Sequence, residues 1–171
     1  MQLTRIERLL LSNQLRILEA LYPKEAQAFA HQREAIEWGY EHHYRHCVEH
    51  VLEDTLPEEA CIEVIDTLDM FDALKLAMDG IGEIPEVKDW QVAYAGFDGN
   101  DEPHQLAYAR WFCDEPNCRF AALQPAKNSH MPVVERYRRQ LTEWKKCADR
   151  HELSREDVIR IAQAAIHPEN R

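Results

Sequence analysis

Hydrophobic positions recur at helical spacing from the first residues onward. On a helix turning 100° per residue, Ile6, Leu9, Leu10, Ile17 and Leu21 share one apolar arc. Asn13 falls at the centre of that arc and Gln14 at its edge. A carboxamide facing a core must find partners or lose roughly 1–3 kcal/mol to desolvation. The position therefore predicts a buried Asn13, bonded to a neighbouring helix or a second subunit, or lining a ligand pocket.

Punctuation residues divide the rest of the chain. Thr4 and Glu7 form a capping box at the start of the first helix, and Pro23 separates it from a second over about 24–38, closed by Gly39. A third is expected over about 40–54, burying Tyr40, Tyr44, Cys47, Val48, Val51 and Leu52. The fourth, about 57–79, is apolar over most of its circumference (Val64, Ile65, Leu68, Met70, Phe71, Leu74), which predicts a central helix. The pattern weakens from Ile84 to Gly99, where alternation is brief. A helix follows over about 102–113, with Leu106, Ala109, Trp111 and Phe112 inward, then an irregular stretch over 114–131. Val134, Tyr137, Leu141, Trp144 and Ala148 step by three and four, a narrow seam read as an interface, and Ser154 with Asp157 caps a last helix. Together these predict an all-α bundle of seven or eight helices, with at most a short extended piece near 91–96. One domain over 1–171 is expected, in which the helices of residues 1–54 form a semi-separate lobe.

Composition adds direction. The net charge of −11 is uneven: residues 1–122 carry 10 basic and 24 acidic side chains, whereas residues 123–171 carry 10 basic and 7 acidic. The acidic majority disfavours nucleic acid, and the basic tail suits the acidic body of a second subunit. The five cysteines have no framework spacing and read as reduced thiols. The opening Met-Gln-Leu-Thr-Arg leads straight into an amphipathic helix, and no apolar run approaches ~18 residues, so a cytoplasmic protein without a membrane span is expected.

Few residues propose chemistry. His42, His46 and His50 have i, i+4 ligand spacing, but they and His43 lie opposite the apolar face, so no metal is expected there. Cys113 and Cys118 lack a second cysteine pair. Asp66, Asp69 and Asp72 have no Glu-x-x-His partner, and nucleophile elbows and phosphate loops are absent. Asp98, in Gly96-Phe97-Asp98-Gly99, is read as a turn residue that caps the following helix. With His104 and Tyr108 it supplies the alternative reading, an enzyme with a site near 96–130. Arg136, Arg138, Arg139, Lys145, Lys146 and Arg150 supply a second alternative, a DNA-associated regulator.

Several collinear strings resemble one bacterial family: Thr4…Arg8-Leu9-Leu10-Leu11-Ser12-Asn13-Gln14, Ile36-Glu37-Trp38-Gly39-Tyr40, Cys61…Ile65-Asp66…Met70…Ala73-Leu74, Gly96-Phe97-Asp98 and Tyr137…Trp144…Leu153-Ser154. In order and spacing they resemble the YfbU family (UPF0304) over nearly the whole chain. The resemblance implies a cytosolic helical protein without an established activity, and some relatives carry a DNA-binding segment, which implies a regulatory or ligand-binding role. The preferred reading is a self-associating, non-catalytic interaction or ligand-binding domain without cofactor. Its partners are expected to be itself, as a homodimer or higher, and a small molecule or another protein. Asn13, Gln14, Asp98, His104 and Tyr108 are the ligand or polar-network candidates, and Tyr137, Leu141 and Trp144 the interface candidates.

Overall fold

A computed structural model describes residues 2–49, 51, 55–115 and 117–170. Among them are seven α-helices: α1 (Arg5–Leu21), α2 (Ala26–Trp38), α3 (Glu58–Ile81), α4 (Asp89–Val92), α5 (Pro103–Phe112), α6 (Val134–Trp144) and α7 (Arg155–Ala164). The chain is all-α, and among the described residues the one β-type pairing is an isolated bridge between Phe97 and Asn128. The segment near 91–96 is taken partly by the single turn of α4. The chain divides into two compact units, Met1–Thr55 and Leu56–Arg171.

In the first unit α1 packs on α2. Its capping box forms: the Glu7 amide donates to Thr4 Oγ1 while the Thr4 amide donates to the Glu7 carboxylate. Gly39 ends α2 in the left-handed region, at φ 79°, and its N–H reaches the carbonyls of Ala35 and Ile36. The core is small. Leu15, Ile36 and Tyr44 are buried, with Leu3, Leu11, Leu18, Phe29 and Cys47 packed around them.

The segment after Gly39 corrects the expected third α-helix. Glu41–Cys47 winds as a 3₁₀ helix. His42, His43, Tyr44, His46 and Cys47 are weak α-formers, and a tighter turn suffices to bury Tyr44 alone. Tyr40 and Val51 are exposed rather than inward, Cys47 and Val48 are half-buried, and Leu52 lies outside the described residues.

In the second unit α3 is central, touching α4, α5, α6 and α7. It buries Val64, Thr67, Leu68, Met70, Phe71, Ala73 and Leu74. Phe71, Tyr94, Phe97 and Tyr137 form an aromatic cluster with ring centroids 4.9–6.0 Å apart. The Tyr137 hydroxyl donates to the Gly96 carbonyl at 3.0 Å and accepts the Ala95 amide at 3.1 Å, so α6 holds the loop before α5. Gly96 is obligatory: φ is +94°, and a Cβ there would lie 2.0 Å from the Lys127 carbonyl oxygen. Trp111, expected inward, is 70% exposed.

The seam on α6 is core. Tyr137, Leu141 and Trp144 are buried within the second unit, which removes them as interface candidates. The seam looked narrow because Gln140 sits on the same buried face. Its amide donates to the Gln91 carbonyl at 2.8 Å, and Gln91 in turn donates to the Ala162 carbonyl at 2.9 Å. Two buried glutamines thus tie α4, α6 and α7 together.

Candidate functional site

Helix α1 carries two apolar faces, roughly 135° apart at 100° per residue. The face with Leu3, Leu11, Leu15 and Leu18 packs inside the first unit. The other, which the sequence assigns to the core, points out. Ile6, Leu9, Leu10, Ile17 and Leu21 are 72, 60, 58, 57 and 66% exposed. Asn13 and Gln14 are exposed too, correcting the expectation that Asn13 is buried within the chain. Trp38 and Tyr40, also exposed, belong to the same unit. The inward face is carried by leucines interleaved with Ser12, whose hydroxyl donates to Glu37 at 2.7 Å. Arg16 donates to the same carboxylate at 2.9 Å and Arg33 at 3.0 Å. The Ser12 hydroxyl first, and then Arg16, hold the Glu37 carboxyl down to about 2.

Between α1 and α2 a groove of about 320 Å³ is lined by Arg5, Arg8, Leu9, Ser12, Asn13, Arg16, Ile36 and Glu37. Asn13 therefore lies both on the apolar stripe and at the groove. Glycine is needed at position 39 for its left-handed backbone, and also because the half-buried Arg8 guanidinium rests against it. A Cβ there would be 2.9 Å from Arg8 Nη1.

The enzyme candidates do not converge. Asp98 is buried, and its side chain accepts the Asn100 amide at 2.8 Å, making a local turn rather than a cap on α5. His104 is exposed and Tyr108 half-buried against Phe112. The carboxylate that matters locally is one the sequence reading missed. Glu102 is buried and accepts the Asp98 amide at 3.0 Å and the Val133 and Val134 amides at 2.7 Å each. It serves as a remote N-terminal cap for α6, whose own flanking residue Val133 offers none. No pattern in the chain links Glu102 to a backbone 31 residues away. A nearby concavity of about 600 Å³, lined by residues including Trp111, Phe112, Cys118 and Phe120, contains none of the three candidates. Burial, and then the neighbouring Cys118, push the Cys113 thiol up to about 12, so it is no ready nucleophile.

The histidines group differently from the expected i, i+4 pattern. In the 3₁₀ turn, His43 and His46 come together, with ring centroids 5.8 Å apart. With His31 and Glu49 they line a cavity of about 340 Å³, and His46 reaches Glu49 at 3.2 Å. His42 stands edge-on to His43, and His50 lies outside the described residues. Among the described residues no three His, Cys, Asp or Glu side chains are arranged to hold a metal.

Four of the six basic side chains of the C-terminal set, Arg138, Arg139, Lys145 and Lys146, are occupied within their own unit. Arg138 pairs with Glu63 at 2.9 Å and Glu135 at 2.6 Å, Lys145 with Asp66 at 2.5 Å and Lys146 with Glu143 at 2.7 Å. Arg119 pairs with Asp69. Arg139 donates to the Ala164 and Ala165 carbonyls at 3.1 Å each, at the end of α7. The charge asymmetry expected to dock a second subunit is thus largely spent inside the second unit, as are Asp66 and Asp69. Among the described residues no helix is long and apolar enough to cross a membrane. The YfbU domain model matches residues 1–164 of the 171-residue chain, and the chain belongs to the YfbU family.

Proposed function

We propose that this protein is a non-catalytic, regulatory interaction domain that works as a homodimer built across the outward face of α1. The apolar stripe of Ile6, Leu9, Leu10, Ile17 and Leu21, each more than half exposed, carries the reading. Full burial of such a side chain is worth roughly 1.5–3 kcal/mol. At the exposure observed, covering five of them on each of two chains yields about 10–20 kcal/mol. Association itself costs an estimated 4–15 kcal/mol. The balance favours a dimer at micromolar concentration.

The stripe is self-complementary. In an antiparallel pair with its two-fold at Asn13, Leu9 of one chain meets Ile17 of the other, and the reverse. The two Asn13 amides then face each other and satisfy their own donors and acceptors. A shifted register would set an amide against leucine, so Asn13 selects register at some expense of stability.

Size-exclusion chromatography with light scattering tests this. Wild type should elute at twice the monomer mass of 20.1 kDa. Leu9→Glu and Ile17→Glu should each elute as monomers. Leu76→Glu, at a site 59% exposed in the second unit, should remain dimeric. A dimer that survives both stripe substitutions overturns the reading.

A further inference from the structure

The groove between α1 and α2 contains two cations without a use in the fold. Among the described residues, the guanidinium groups of Arg5 and Arg8 enter no hydrogen bond and no ion pair, whereas their neighbours are saturated. Arg16 donates to Glu37 at 2.9 Å, and Arg33 holds Glu19 at 2.6 Å and Glu37 at 3.0 Å. Arg8 is half-buried, and its guanidinium rests over Gly39 at the C-terminal end of α2. The partial negative charge of that helix end accounts for where the cation sits. It leaves the N–H fork of a planar guanidinium unspent.

We propose that this groove binds the phosphate group of a small metabolite, gripped by the Arg5 and Arg8 guanidiniums. Three arginines and one carboxylate line the groove, so it is cationic inside a chain of net charge −11. Glu37 does not oppose the anion, because Ser12, Arg16 and Arg33 already surround its oxygens. An arginine fork matches two phosphate oxygens at once, a geometry that lysine cannot offer. The volume, about 320 Å³, suits a phosphoryl group on a small organic body rather than a polymer. Ile36 supplies an apolar wall for that body.

Isothermal titration calorimetry on the full chain, with inorganic phosphate and glycerol 3-phosphate against chloride at matched ionic strength, tests the site. Saturable binding of the ester, stronger than that of inorganic phosphate, supports a phosphorylated metabolite. Equal binding of both supports the phosphate site and assigns it to the free anion. Arg8→Gln and Arg5→Gln should each weaken binding by about tenfold, and Arg8→Lys should restore only part of it. Gly39→Ala, which displaces the Arg8 guanidinium, should also weaken it. The same titration on Ile17→Glu, which leaves the groove lining intact, separates loss of the anion site from loss of self-association. No saturable heat from either phosphate, or unchanged affinity in Arg8→Gln, overturns the proposal.

Discussion

Removing the Glu102 carboxylate should unfold much of the second unit's margin of stability without touching a hydrophobic contact. Its Oε1 accepts the Val133 and Val134 amides at 2.7 Å each, and its Oε2 accepts the Asp98 amide at 3.0 Å. Asp98 and Val133 are buried, so Glu102→Ala strands their N–H groups away from water. Each such donor loses about 1–3 kcal/mol, and α6 also loses a negative charge at its N-terminus, worth about 0.3–1 kcal/mol. The sum is roughly 4 kcal/mol, against a typical total of about 5–15 kcal/mol. With a urea slope of about 2 kcal/mol/M, the midpoint should fall by about 2 M when unfolding is followed by circular dichroism. Glu102→Gln keeps one oxygen for α6 but turns an NH₂ towards the Asp98 amide, and should lose about half as much. A midpoint shift in Glu102→Ala below roughly 0.3 M would refute the capping role, and would make Glu102 a new candidate for chemistry.

Gly96→Ala forces a Cβ to 2.0 Å from the Lys127 carbonyl oxygen at φ +94°, and should lose about 3 kcal/mol or more in the same assay. Trp144 is 2% exposed and donates from Nε1 to the Arg150 carbonyl at 2.8 Å, so Trp144→Glu should abolish the near-ultraviolet dichroism of a packed core rather than split an oligomer. Chiefly the Ser154 hydroxyl, and then Arg160, hold the Asp157 carboxyl at about 2, below its ordinary 3.8. A lowered folded-state value stabilises above the ordinary one and is lost as pH falls through the folded one. The stability difference between wild type and Asp157→Asn, about 1 kcal/mol at pH 7, should therefore shrink between about pH 4 and pH 2.

Helix existence and most ends were legible because their signals are local. Thr4 with Glu7, Ser154 with Asp157 and the left-handed Gly39 each act within three or four residues of where they are read. Facing was harder. Helix α1 presents two apolar arcs, and the pattern alone does not say which packs on α2 and which faces out. On α6 the test that singled out Asn13 places Gln140 beside Tyr137 on the same arc. Gln140 belongs to the core, and counting apolar positions alone leaves that face a narrow seam. The 3₁₀ turn of Glu41–Cys47 changed which histidines meet, because i, i+3 replaces i, i+4. Glu102, Arg8 over Gly39 and the pairing of α6 with Asp66 and Glu63 depend on contacts between distant segments. No periodicity encodes them.

Sedimentation equilibrium of the wild-type protein at low micromolar concentration asks the most direct question, whether the outward face of α1 is covered by a second chain. A species of twice 20.1 kDa, reduced to 20.1 kDa by Ile17→Glu, is the predicted result. A single wild-type species at 20.1 kDa would contradict self-association through the Asn13-centred stripe.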